Sequence, residues 1–376
     1  MKKIYFDNNS TTPLDPEVIK VIEEELLNFG NPSSIHAFGQ EIKTKLIQAR
    51  RSIAHCLGVS PTEIIFASGG TEGINMAIRG LIGSSFHGEI ITSSVEHACV
   101  YQTCQKMQEV GCSIVELPVG NEGRIHLKDL QSALHAGTRL IVLIGANNET
   151  GVLNDIEAIA QIAQRAKIPL ILDGVALLGK EKFQIPRGVS IACFSGHKIH
   201  ALKGIGFSVI RKFTACASLI TGGPQEQERR GGTENVLGIL SLAKAIEIMT
   251  DKLEANVNGM RKLRDHFEKR VSDEIEGVVR NGAAERVSNT SNLSFLGIDG
   301  DAFLMNLDLA GIAVSSGSAC SSGALEPSRV LLNMGLSRET AKTSVRFTFS
   351  RMNTMEEVDA VCNLLPKMIN RLRSLS

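Results

Sequence analysis

"TRLIVLIGA" (138–146), followed by "DIEAIAQIAQRAK" (155–167) and "IPLILD" (168–173), decides the fold class of this chain. The first and last runs are almost unbroken aliphatics of strand length. Between them Ile156, Ile159, Ala163 and Ala166 recur at helical spacing. Strands that are apolar on both faces must be covered on both, and an intervening helix lets consecutive strands run parallel. The same alternation extends outward in both directions. "EIIFAS" (63–68) precedes the helical "GTEGINMAIRGLI" (70–82), "GEIITSS" (88–94) precedes "EHACVYQTCQKMQEVG" (96–111), and "SIACFSG" (190–196) follows. From about 60 to 215 the chain therefore reads as an α/β unit built on a mostly parallel sheet.

Past 235 the character changes. A charge-alternating helical stretch, roughly 235–275, reads as a connector into a second unit with α+β patterning. At 376 residues the chain exceeds one compact core, so two domains are expected. Forty basic residues balance forty acidic ones, which gives no bulk attraction to nucleic acid or an anionic membrane. With no Trp and two Tyr, base-stacking surfaces are not expected either. The longest apolar runs are far too short to span a bilayer, and "MKKIYFDNN" meets polar residues before any signal-peptide core forms. A cytoplasmic protein is expected. Its eight cysteines include no CxxC pair, and a residue such as Cys193 in "VSIACFSG" reads as a small buried hydrophobe.

In an open parallel sheet, ligands bind beyond the carboxyl ends of the strands, and chemically capable residues gather there. "ASGGTEGIN" (67–75) offers Gly70 and Thr71 at a helix start, a plausible phosphate cup or simply a glycine turn. Asp173 ends a strand. The following GxxxxGK (174–180) has the core of a P-loop, but Glu181 stands where Ser or Thr should hold a metal, so nucleotide binding is set aside. Lys198 follows a buried strand directly and is a Schiff-base candidate. His197 and His200 have metal-like spacing without a second ligand pair, and no metal site is expected. A lysine for an imine, an acid for a pyridinium nitrogen and a phosphate cup together describe pyridoxal 5'-phosphate (PLP) binding.

One further stretch stands apart. "SSGSACSSG" (315–323) sets Cys320 among small residues that cannot pack a core, so the thiol reads as one carried on an adaptable loop.

With "YFDNNSTTPLDPEV", "GNPSSIHAFG", "SGGTEGIN", "EHACV", "NNETG", "FSGHKIHALKGIG", "RRGGTEN", "SSGSACSSG" and "SVRFTFSR" in order, the chain resembles the cysteine desulfurases of the NifS/IscS group along its full length. The resemblance implies a fold-type I PLP-dependent transferase. Residues 15–255 would form the large domain with a seven-stranded sheet, and 1–14 with 256–376 the small domain carrying the Cys loop. Lys198 would hold PLP, Asp173 would pair with its ring nitrogen, and His97 would stack on it and take part in proton transfer, which makes Lys198, Cys320 and His97 the catalytic set. Gly70, Thr71, Ser195 and His197 would bind the phosphate, Thr233 would reach the phosphate of a second copy in a homodimer, and Asn148 would sit near the phenolic oxygen. Arg346 would clamp the carboxylate of L-cysteine, and Cys320 would take its sulfur as a persulfide, leaving L-alanine. An iron–sulfur scaffold or a tRNA-thiolating protein would accept the sulfur, and Cys320 could share a transient [2Fe–2S] cluster with a scaffold. An aminotransferase, a selenocysteine lyase and a non-catalytic scaffold homologue are the alternatives.

Four positions depart from the family pattern. Ala176 stands for a usual Gln, a loss of one hydrogen bond costing about 0.5–1.5 kcal/mol. Pro224 and Glu228 replace common glycines before Thr233, and Ser350 replaces another.

Overall fold

The computed structural model describes residues 3–83, 87–317 and 326–375. The chain starts with a short strand β1 (Ile4–Tyr5), and helices α1 (Pro16–Glu25) and α2 (Ala37–Leu57) follow. The central sheet then forms from β2 (Ile64–Ala67), β3 (Gly88–Ser93), β4 (Cys112–Leu117), β5 (Thr138–Ile144), β6 (Leu170–Asp173), β7 (Ile191–Ser195) and β8 (Gly206–Ile210). Their order is β2-β8-β7-β6-β5-β3-β4, and β8 alone runs against its neighbours. Helices α3 (Gly70–Ile82), α4 (Ala98–Glu109), α5 (Leu127–Ala133) and α6 (Ile156–Ala166) alternate with the strands.

The aliphatic runs are buried on both faces, as their composition requires. In β5, Leu140 and Val142 join the cluster under α3 and α4, whereas Ile141 and Leu143 join the opposite cluster under α2 and α6. Cys193, fully buried, belongs to the α3–α4 side.

The expected connector is two helices, not one. Helix α7 (Val236–Asp251) packs on α1 and α2, and α8 (Leu253–Glu274) packs on a separate apolar cluster. The break at Lys252 lets the first helix serve one core and the second serve the other. That second cluster is built on an antiparallel sheet of β9 (Val278–Arg280), β10 (Thr290–Phe295) and β12 (Ser344–Thr348). It is covered by α8, α9 (Gly300–Leu309) and α12 (Met355–Arg373), while β11 (Ile312–Ala313) pairs with β1. Two short helices, α10 (Arg329–Asn333) and α11 (Arg338–Lys342), lie before β12. No helix among the described residues is long and apolar enough to cross a membrane.

Residues 6–15 run between the two cores as a strap. Thr348 N–H donates to Phe6 O (2.7 Å), Thr12 N–H to His197 O (2.9 Å) and Asp15 N–H to His200 O (3.1 Å). Arg351 closes it with an ion pair to Asp15 at 2.5 Å.

Candidate active site

Five strands of one polarity (β2, β3, β5, β6, β7) deliver their following residues to the same edge of the sheet, and a cavity of about 190 Å³ lies there. Gly70 and Thr71 line it from the start of α3, His97 from the loop after β3, and Asn148 from the loop after β5. Asp173 ends β6, Ser195 ends β7, and His197 and Lys198 occupy the turn beyond it. Arg346 reaches in from β12.

Asp173 is 2% exposed, and its Oδ1 accepts from Val175 N–H at 3.0 Å. Burial raises its carboxyl pKa, while His97 and Lys198 pull the other way. Lys198 Nζ is held by the strap, donating to the carbonyls of Asn9 and Ser10. Burial and the nearby lysines push His197 down to about 4, so it is neutral until an anion arrives. His200 is turned away: its Nδ1 lies 2.8 Å from Pro13 O beneath the strap, which separates it from His197.

Arg346 is 1% exposed. Its Nη2 donates to Asp7 (3.0 Å) and to Ser10 Oγ (2.9 Å), and its Nη1 to Asn148 O (2.8 Å). Its Nε finds no partner among the described residues, and neither does Asn148 Oδ1. Buried donors and acceptors left unpaired are expensive, so both atoms point to a polar ligand.

The cavity residues fit PLP. Lys198 offers an amine and Asp173 a buried carboxylate. The first turn of α3, whose N-cap Gly69 provides no side-chain bond, offers N–H groups and a favourable dipole for a phosphate. Backbone can come close here because Gly70 has no side chain: a Cβ would lie 2.5 Å from Val175 Cγ2.

Thr233 is exposed and outside the cavity, and Cys320 is not among the described residues. Ala176 does line the cavity, beside a small apolar cluster with Ala146, Leu177 and Val287.

Sequence reasoning passed over three cavity or near-cavity groups. Lys180, set aside with the failed P-loop, is 5% exposed and donates from Nζ to Lys198 O at 2.9 Å. Burial, with Lys198 adding to it, lowers its pKa to about 7. Glu149 is buried and accepts from Ser328 Oγ at 2.5 Å. Cys99 lines the cavity two residues beyond His97. His97, Cys99 and Asp173 bring donor atoms within 4.8 Å of one another, a spacing that suits a metal. However, His97 Nδ1 and Asp173 Oδ1 already accept backbone N–H groups.

A family model described as aminotransferase class-V matches residues 4–361. The cysteine desulfurase IscS of Dictyoglomus turgidum is 40% identical over 380 residues, spanning all of this chain and 96% of that relative. A solved NifS-like protein superposes with a TM-score of 0.92 at 32% identity, covering 99% of this chain and 100% of that one. SspA, solved in complex with cysteine, gives 0.84 at 30% identity, with 94% and 100% covered. Fold and site together define a class-V aminotransferase, a family of PLP-dependent enzymes. Within it the chain belongs to the cysteine desulfurases of the NifS/IscS group.

Proposed function

We propose that this chain converts L-cysteine to L-alanine, holds the sulfur as a persulfide on Cys320, and passes it to a protein acceptor for iron–sulfur cluster assembly or tRNA thiolation. The observation that carries this reading is the convergence of Lys198, Asp173, His97, Arg346 and the α3 N-terminus on one cavity. The cysteine bound by SspA supports the substrate.

Bound in this cavity, PLP supplies an electron sink for the α-carbon of the substrate amine. Asp173 keeps the ring nitrogen protonated. Gly70, Thr71, Ser195 and His197 would hold the phosphate, and Asn148 and His97 would hold the ring, Asn148 toward its phenolic oxygen and His97 by stacking. Lys198 would hold the cofactor, and its Nζ would take the α-proton of the substrate. Arg346 grips the substrate carboxylate, its unpartnered Nε–H being the donor left free by the contacts to Asp7, Ser10 and Asn148. The Cys320 thiolate attacks the substrate sulfur, an S–S bond forming as the C–S bond breaks. The carbon fragment keeps that electron pair, gains protons and leaves as alanine. A transient [2Fe–2S] cluster at Cys320 would be cargo shared with a scaffold.

The protein is assigned to the cytoplasm as a homodimer in which Thr233 of each copy reaches the other's phosphate. Residues 15–255 are assigned to the large domain, and 1–14 with 256–376 to the small one. The distinct apolar cluster under α8, α9 and α12 supports that division, although Val330, Leu331, Met334 and Ala341 pack into the large-domain core.

The purified protein should show imine absorbance and release alanine from L-cysteine. Cys320→Ser should bind PLP yet release no alanine. Full activity in Cys320→Ser would point to an aminotransferase, and absence of the imine band would sink the proposal.

A further inference from the structure

His97 is the N-cap of α4, and the nitrogen that makes the cap is Nδ1. It accepts the backbone N–H of Cys99 at 3.1 Å. A backbone N–H can only donate, so Nδ1 must present its lone pair, and in the neutral ring the proton sits on Nε2. The Cys99 side chain meets the same nitrogen, with Sγ 3.0 Å from Nδ1. Burial, with Asp173 nearby adding to it, holds this thiol well above its ordinary pKa. It remains S–H at neutral pH and is a second donor. Both residues line the cavity that holds Lys198 and Asp173.

We infer that Cys99 is a positioning residue, one that fixes His97 as a neutral ring protonated at Nε2. This deepens the proposed function and rests on that reading of the cavity. With Nδ1 committed to two donors and Nε2 already carrying hydrogen, the ring has no lone pair to receive a proton from the substrate. To become charged it would have to open the first turn of α4. His97 is then a stacking group and hydrogen-bond donor, and proton movement at the α-carbon falls to Lys198. Among the described residues the charged groups that interact with the ring include Asp173 from β6 and Glu149 from the loop after β5, and Lys198 acts on Asp173 in turn. None of these is on α4, so changing Cys99 leaves them in place.

The test is nitrogen NMR of the ¹⁵N-histidine-labelled holoenzyme, with His97 assigned by its loss in His97→Gln. Wild type should show a bare Nδ1 and a protonated Nε2 throughout neutral pH. In Cys99→Ala the Nδ1 signal should move toward the weakly bonded position, and the midpoint for charging His97 should rise by about half to one pH unit, the worth of one hydrogen bond. Cys99→Ser restores a donor and should return both values toward wild type. A wild-type ring protonated at Nδ1, or one titration curve shared by all three proteins, would overturn the inference. These signals come from the ring itself. A holoenzyme that bound PLP but released no alanine would refute the function while leaving this reading intact.

Discussion

Glu96 shows how far a single residue can be driven by its surroundings. It precedes His97, is 1% exposed, and accepts from Ser93 Oγ at 2.6 Å, while its Oε2 finds no partner among the described residues. Burial lifts its pKa from 4.5 to about 8. Between those values the folded protein keeps a proton that the unfolded chain has released. Stability from this residue therefore falls as pH rises through that window and levels off above about 8. Glu96→Gln cannot ionise, so its melting temperature should vary less with pH over the same range and exceed wild type at the alkaline end. A wild-type slope in Glu96→Gln would place the effect elsewhere. Residues of this kind are also where sequence reasoning runs short. Lys198 and Asp173 could be read because Asp173 ends one aliphatic strand and Lys198 lies in the turn directly after another. Cys99 and Lys180 lie on a helix and a turn, where their types are ordinary, and only burial against the cavity sets them apart.

Among the elements, the segment before Thr233 carries the clearest strain. Glu226, Gln227 and Glu228 have φ of 48°, 60° and 63°, three non-glycine residues in the left-handed region. Each such residue costs about 1–2 kcal/mol. What holds the turn is Glu226: Arg50 reaches its Oε1 at 2.5 Å, and Phe66 N–H donates to its Oε2 at 2.8 Å. Glu228 has no such anchor in these contacts, and its φ suits glycine. Glu228→Gly should stabilise the protein by about 0.5–1 kcal/mol, read as a higher denaturant midpoint with unchanged slope; a lower midpoint would show that Glu228 makes a compensating contact. Elements with a strict period were legible in advance, as the two-faced burial of β5 shows. The break between α7 and α8 was not, because no Pro or Gly marks Lys252. That helix divides because its two halves answer to different cores, and no local signal encodes that.

For the whole molecule, the surface carries an apolar patch that a lone copy would leave wet. Ile35 is 95% and Leu27 87% exposed, and Phe29 stacks on Phe38 with centroids 5.3 Å apart. Exposed clusters of this kind mark association sites, in keeping with the proposed homodimer. Sedimentation should give twice the chain mass for wild type, whereas Ile35→Glu with Phe38→Glu should sediment as a folded monomer with reduced PLP retention. A monomeric wild type would refute the assignment. The strap carries a different consequence, one of timing. Its contacts join Phe6 and Asp15 to Thr348 and Arg351, made 342 and 336 residues later, and Arg346 needs Asp7 and Ser10 beside it. The seven-stranded sheet, finished by residue 210, can form on the ribosome long before that. A nascent chain thus exposes an open sheet edge with Lys198 in place but no carboxylate clamp. The pocket is completed only once the chain has emerged past Arg346, so a nascent chain that stops short of it lacks the group that would grip the substrate.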